Sequence, residues 1–500
     1  MVFKLFYSSI IVFSLLLLIF LLIFKFNSYL QFDNNKLVLQ FKTYLLFFTN
    51  LTSIFSFFAI FIVQSFWYNY MFIDINSLNN VLFFYTPIIT FKLFSNSLFL
   101  VSITKFNILF FLLFSLMYPV IILLMGIDFN SNQIKLYIYM YFVFVLSYIL
   151  LGSENIIVFY FTYEIILILV FGIMYLSSNS RGGIEATLFY AGWAILGSIL
   201  VGLGLILLIL LTDEIFFINL SKNKLTSNEI YYIYMLLFFG FGTKLSTWPF
   251  WYWLPRAHVE VSTGVSVFLS CILIKLSYFC LFRCQYILSS EISLNICLIV
   301  TFLSVIDIVF RFFNLRDLKA IIAYSSVLHT NLLLSLIHLD NFKIVNSSII
   351  YVWGHSLATA SLFISVNLIE MRYGSRNIMQ VSGLWYTSPS IAYFVLWSIF
   401  SFIDLPVTIF FWGELWLWTV LFNALPVLSS QLIFLVNVLF ISMFFKIWWG
   451  VLFGSPSINV KKINLNEYRE LYFTQFALLW LQLLMAVQPS MLTSLAGYII

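Results

Sequence analysis

The sequence predicts an all-α polytopic membrane protein of about 14 transmembrane helices, and three observations predict it. Of 500 residues, 63% are hydrophobic and 9% are charged, against about 25% charged in a soluble globular protein. A chain of this size with so few charges cannot cover itself with a wetted surface. The apolar residues also fall into runs of the length a bilayer demands, roughly 18 to 25 residues each. Finally, Lys and Arg are unequally shared between the two sets of connections. These features exclude a cytosolic enzyme. They also exclude a nucleic-acid binder, because a net charge of +5 spread along the chain makes no basic stripe.

Taken in order, the first six runs lie near 6–24, 44–66, 101–125, 135–151, 156–177 and 187–212. The next four lie near 231–254, 263–283, 294–313 and 320–338, and the last four near 347–369, 391–422, 427–450 and 473–496. The first run ends at Lys25 and is longer than a secretory h-region, so it reads as an anchor that stays. The run 391–422 is too long for one straight helix and contains Pro406, which predicts a break. Residues 67–100 mix aromatics with Asn and Ser and read as an interfacial connection. The chain thus divides into N-terminal anchor helices with that segment (1–100), a translocating core (101–455), and a loop with a C-terminal helix (456–500). Lys461–Glu470 reads as a solvated loop or interfacial helix.

With both termini on one face, seven Lys/Arg fall on that face and fifteen on the other, and Lys244 and Lys275 lie inside spans. That bias supports an even number of helices, with both termini away from the cytoplasmic or matrix side. Sixty Phe and 29 Tyr, with abundant Ile, Asn and Leu, suggest an AT-rich gene such as an organelle genome carries. The cysteines Cys271, Cys280, Cys284 and Cys297 form no CxxC pair and read as small hydrophobes inside the bundle.

Ionisable residues inside a bilayer are costly, so each needs a reason. Four stand out: Glu164, Lys244, Lys275 and Glu414, with His329 and His355 beside them. One reading makes them paired, neutralised packing elements. The other makes them a proton relay, because acids and bases alternate as donors and acceptors must. Unit charges at about 4 Å and an effective dielectric of about 20 interact by roughly 4 kcal/mol, so moving Glu164 towards or away from Lys244 would load or release a proton. Gly240, Gly242 and Pro249 flank Lys244, and Pro406 and Gly413 flank Glu414. Broken spans in two corresponding places mark an ion path between two inverted halves. Asp307 and Arg311, four apart, read as an ion pair, and Arg316–Lys319 as a polar helix entry.

These same residues carry a resemblance. Trp253-Leu-Pro-Arg-Ala-His-Val-Glu260 followed by Lys275 resembles the WLPxAHVE…KLGGY signature of the antiporter-like chains of respiratory complex I. Asn314 to His329 resembles that family's DLKxxIAYSSVxH segment, Gly354-His355 its turn on the next helix, and Glu370 to Arg376 its E-R-x-x-x-R stretch. The resemblance runs from about residue 95 to 455. Departures are Ser246 where the family has Pro, Trp251 where it has His, Val261-Ser262 for its Ala-Pro, and Lys275-Leu-Ser-Tyr-Phe-Cys280 for its Gly-rich run. Glu414 in Gly-Glu-Leu is typical of the chain-4 branch, whereas chains 2 and 5 and the cation/proton antiporters more often carry Lys there. Chain 5 also ends in a long lateral helix, and this sequence stops at Ile500, just after its last run.

The resemblance implies fourteen helices containing two inverted five-helix repeats, in a subunit that moves protons across the mitochondrial inner membrane. It implies that Glu164 is the coupling carboxylate of Lys244, that Lys275, His329 and His355 carry protons across the middle, and that Glu414 hands them on. It also implies no cofactor on this chain, with NADH, FMN, iron–sulfur clusters and ubiquinone held by partner subunits, and chains 2 and 5 as neighbours. The competing function is an Mrp-type cation/proton antiporter, which would favour Lys at position 414. A cytochrome b is disfavoured, because His258, His329, His338 and His355 do not make two repeated spacings on two helices. Gly240-Phe-Gly242 follows no strand of a βαβ unit and is no dinucleotide fingerprint.

Overall fold

The computed structural model describes residues 89–92, 100–125, 133–178, 180–220, 225–288, 291–337, 343–456 and 469–489. The expected spans at 6–24 and 44–66 lie outside the described residues, as do most of 67–100 and the loop after residue 456. The chain divides into two compact units, one holding the described residues up to Leu176 and the other Ser177–Val487.

The first unit opens with a hairpin. Strand β1 (Ile89–Lys92) pairs antiparallel with β2 (Leu100–Ile103), Ile89 opposite Ile103. The run that begins at 101 is therefore strand before it is helix. The switch comes at Thr104, whose hydroxyl accepts from the Asn107 amide at 3.2 Å, as an N-cap does. Three long helices follow: α1 (Lys105–Met125), α2 (Gln133–Gly152) and α3 (Ile156–Ser177). Asn107 ties α1 to the end of α2 by donating to the Leu151 carbonyl at 2.8 Å.

The second unit begins with α4 (Arg181–Thr212), capped by the Ser180 hydroxyl, and α5 (Ser227–Leu245), which opens on a capping box between Thr226 and Glu229. The run 231–254 is split: α5 stops at Leu245 and a separate helix, α6 (Trp253–Glu260), follows. Next come α7 (Thr263–Phe268), a π-helical stretch at Leu269–Leu273, and α8 (Ile274–Leu288). Then come α9 (Glu291–Phe312), α10 (Leu318–Ile337) and α11 (Lys343–Tyr373). After the single turn α12 (Leu384–Thr387), the run 391–422 divides as its length and Pro406 predict. Its two halves are α13 (Pro389–Phe402) and α14 (Ile409–Ala424). The unit closes with α15 (Pro426–Ile433), a π-helical stretch at Phe434–Phe440, α16 (Ile441–Phe453) and α17 (Arg469–Val487).

Eight of these helical segments are long and apolar enough to cross a membrane, and five shorter apolar ones accompany them. The protein is a helical polytopic membrane protein. Helices α7–α8, α10 and α11 are buried along nearly their whole length, whereas α4 exposes Leu188, Ile195, Ile199, Ile206 and Leu210. An apolar side open to the surroundings on a helix of this length faces lipid. The centre of the second unit is therefore made of α7–α8, α10 and α11, and these carry Lys275, His329 and His355.

Glycines set how closely the helices cross. A Cβ on Gly413 of α14 would lie 2.7 Å from the Cα of Tyr351, and one on Gly354 of α11 would lie 2.6 Å from the Cα of Phe410. The two helices thus touch backbone to backbone, the small-residue contact that substitutes for a hydrophobic drive inside lipid. Helices α4 and α5 meet the same way: a Cβ on Gly240 would lie 2.8 Å from the Val201 amide nitrogen. Gly413→Ala is expected to destabilise the folded protein by about 1–3 kcal/mol through overpacking. Gly450→Ala, whose new methyl would meet nothing within 4 Å, is expected to be neutral. Thermal unfolding of the two variants side by side checks this.

Candidate functional site

Helix α5 stops one residue beyond Lys244, in the middle of an apolar run. Ser246 caps it in the left-handed conformation, φ 56°, and the Thr247 amide donates back to the Gly242 carbonyl at 3.0 Å. A terminated helix leaves carbonyls without intrahelical donors, and lipid supplies none. Other elements supply them here. Trp253 Nε1 donates to the Thr243 carbonyl at 2.7 Å, Asn331 Nδ2 to the Ser246 carbonyl at 3.2 Å, and Thr330 Oγ1 to that of Leu245 at 3.5 Å. The break survives without the proline that the resembling chains carry there, because Ser246 takes the turn and α6 and α10 cap it. Lys244 itself is buried.

Lys275 and the two histidines, far apart in sequence, come together. Lys275 Nζ lies 2.7 Å from His355 Nδ1 and donates to the Ser270 carbonyl at 2.9 Å. The π-helical stretch just before Lys275 is a form common at functional sites. His329 Nδ1 lies 2.8 Å from the Tyr351 hydroxyl, and the His329 and His355 rings are 5.6 Å apart between centroids. Phe402 and Phe410, from the two sides of the α13–α14 break, wall the histidines in at 5.0 and 5.2 Å from His329. His355 Nε2 is buried with no hydrogen-bond partner among the described residues.

Glu414 is buried on α14. Its Oε1 accepts from Trp418 Nε1 at 2.9 Å, one turn on, and its Oε2 is buried without a hydrogen-bond partner among the described residues. In the first unit, Glu164 on α3 is half-buried, with Tyr160 one turn before it as a hydrogen-bonding neighbour. Its Oε1 is buried and has no hydrogen-bond partner among the described residues.

Outside this row, the ion pair expected at Asp307 and Arg311 is present at 2.9 Å, and Trp251 Nε1 donates to the same carboxylate at 3.1 Å. The Arg316–Lys319 entry is locked to the Glu370–Arg376 stretch. Arg376 pairs with Asp317 at 2.9 Å, the buried Lys319 reaches Glu370 at 3.5 Å, and the Leu318 amide donates to the Arg376 carbonyl. All four cysteines are free and buried.

Three polar residues of the interior escaped the sequence reading. Glu154, in the short connection between α2 and α3, is buried and accepts from the Ser102 hydroxyl. His258 on α6 is fully buried, and neither ring nitrogen has a hydrogen-bond partner among the described residues. It stacks on Phe363 at 5.0 Å, within electrostatic reach of both Lys319 and Lys275. The third is Tyr351. The signal for His258 was available, since it stands within Trp253–Glu260, but one tyrosine among 29 gives none.

Residues 153–444, more than half the chain, match the family described as NADH:quinone oxidoreductase/Mrp antiporter, TM. The chain is 26% identical over 345 residues to NADH-ubiquinone oxidoreductase chain 4 of Paramecium tetraurelia, covering 69% of this chain and 73% of that one. It is 26% identical over 423 residues to the protein of the same name from Chondrus crispus, covering 82% and 85%. Its fold is similar to chains of three solved assemblies. The first, at TM-score 0.79 and 15% identity, is a membrane-bound sulfane sulfur reductase, an archaeal respiratory membrane complex, with 98% of this chain and 96% of that chain covered. The second is an Mrp complex from Dietzia sp. DQ12-45-1b, with TM-score 0.75, 16% identity, and 97% and 96% covered. The third is respiratory complex I from Thermus thermophilus, with TM-score 0.73, 18% identity, and 96% and 98% covered.

The capped break generates a prediction independent of any activity. Asn331→Leu strips the Ser246 carbonyl of its donor and is expected to cost about 1–3 kcal/mol. A drop in the thermal midpoint of the detergent-solubilised protein is the expected reading, and an unchanged midpoint would show that the buried helix end needs no such cap.

Proposed function

Because the chain belongs to the NADH:quinone oxidoreductase/Mrp antiporter family of membrane proteins, we propose that it is a proton-translocating membrane-arm subunit of respiratory complex I. It moves protons across the mitochondrial inner membrane while NADH oxidation and ubiquinone reduction proceed on other subunits. One observation carries this reading. Lys275 Nζ lies 2.7 Å from His355 Nδ1 and the His355 and His329 rings are 5.6 Å apart between centroids, all in the apolar centre of the second unit, with the buried Glu414 on a neighbouring helix. Bare packing gives no reason to keep so many ionisable groups where each costs several kcal/mol. The chain-4 names of the relatives supply the complex in which the row works.

In this mechanism Lys275, as an ammonium, gives a proton to the neutral His355 ring at Nδ1, and the proton released from His355 Nε2 is carried on by His329. Glu414 receives it on Oε2 and hands it to the exit side or to a neighbouring subunit, the homologous antiporter-like chains 2 and 5. Glu164 is the coupling carboxylate for Lys244, and approach or withdrawal of its charge sets whether that lysine holds its proton. The Oε1 of Glu164, buried without a hydrogen-bond partner among the described residues, leaves that carboxylate able to accept from a cation.

The same reading includes fourteen spans and two inverted five-helix repeats. Two breaks support it, each with a residue in the left-handed conformation: Ser246 at φ 56° after α5 and Asp404 at φ 61° between α13 and α14. So do the two glycine crossings, α4 with α5 and α11 with α14. Both termini lie on the intermembrane-space side, from the distribution of Lys and Arg. NADH, FMN, iron–sulfur clusters and ubiquinone belong to partner subunits.

Glu164→Gln is expected to abolish redox-linked proton movement in the assembled complex, and Lys244→Ala to do the same. Proton uptake measured against NADH oxidation in proteoliposomes checks both. Wild-type coupling in a fully assembled complex would remove the mutated residue from the relay.

A further inference from the structure

The row of ionisable groups has one weak link. His329 stands on α10 and Glu414 on α14, and the carboxylate makes its hydrogen bond to Trp418 on its own helix. The residue that adjoins both is Tyr351 of α11. Its hydroxyl lies 2.8 Å from His329 Nδ1. Its backbone is pressed against Gly413, the residue before Glu414, at the closest crossing of α11 and α14. Its ring lies nearly parallel to that of His355, 4° between planes at 6.4 Å, with Phe410 against it at 5.0 Å. The side chain is fully buried.

We propose that Tyr351 is a proton-relay residue, its hydroxyl passing protons between His329 Nδ1 and the Glu414 carboxylate. A phenol is both donor and acceptor, which is what a link between an imidazole and a carboxylate requires. When Nδ1 carries a proton, the phenol oxygen accepts it as the O–H bond breaks and that proton leaves towards Glu414 Oε2. The Nδ1–H bond of His329 breaks as a phenol O–H forms, the original phenol O–H breaks as Glu414 gains an O–H, no electrons are transferred, and the phenol is neutral before and after. Rotation of the hydroxyl resets the link. Oε2, buried with no hydrogen-bond partner among the described residues, is an acceptor fit for that proton. The bland role is to hold the His329 ring in place, and the variants below separate it from conduction.

This inference rests on the proposed proton-translocating function, so the test carries a reference for each. Three variants are compared with wild type in the assembled complex in proteoliposomes, reading protons moved per NADH oxidised. Tyr351→Phe keeps the ring and its stacking and removes the hydroxyl, Tyr351→His restores a protonatable group, and Glu414→Gln is the reference. The expected result is that Tyr351→Phe lowers proton movement roughly 10-fold or more, within the range that a positioned acid–base group supplies, and that Tyr351→His recovers most of it. Wild-type proton movement in Tyr351→Phe with Glu414→Gln defective would overturn the relay role of Tyr351 and leave the proposed function standing. Equal loss in Tyr351→Phe and Tyr351→His would overturn it too, as the mark of packing alone. Wild-type proton movement in Glu414→Gln would overturn the proposed function and the relay with it.

Discussion

Holding charged side chains in an apolar bundle is the constraint on which the rest of this structure depends. A charge near mid-bilayer costs about 2.5–3.5 kcal/mol by insertion scales, and Lys244, Lys275, Lys319 and Glu414 are all buried. Each is met by a local departure from regular helix or by a paired group. Lys244 sits at a helix end that three side chains cap. Lys275 follows a π-helical stretch and touches a histidine. Lys319 is met by Glu370, and Glu414 follows the α13–α14 break and takes an indole N–H. Three of these four charges stand at irregularities of the bundle, and the fourth is paired.

Irregular backbone inside a bilayer is tolerated only where protein or water satisfies it. This explains why the central helices are polar in detail while apolar on average. Ser, Thr and Asn side chains on α10 and α11 turn back to their own carbonyls or across to neighbouring ones, as Asn331 does to both Val327 and Ser246. The glycine contacts serve the same end from the other side. By letting α11 and α14 meet at their backbones, they bring Tyr351, His355 and Glu414 into one region, and the rings of Phe402 and Phe410 close it.

Much of this was legible in the sequence, and what was not has physical reasons. The helical runs follow from length and hydropathy, and the in-span Glu, Lys and His residues stand out because bilayers reject them. The split in 391–422 follows from Pro406. The strand at Leu100–Ile103 was hidden because a short apolar run reads equally as strand or helix. A break beside Lys244 was expected from Gly240, Gly242 and Pro249, but its place at Leu245 was not, because Ser246 in a left-handed turn has no sequence signature. That Lys275 meets His355, eighty residues away, is a tertiary fact that spacing cannot give. Tyr351 was invisible for a compositional reason: in a chain with 21% aromatic residues, one more ring draws no notice until its hydroxyl is seen against a histidine.

The central claim is that this chain moves protons as one part of a redox assembly. Its most direct test is native-gel separation of solubilised membranes, with mass spectrometry of the band that contains the chain. Co-migration with NADH dehydrogenase activity and the other membrane-arm subunits in one large assembly is the predicted result. A small particle that contains this chain and no redox partner would contradict it, and would make the protein an autonomous cation/proton antiporter.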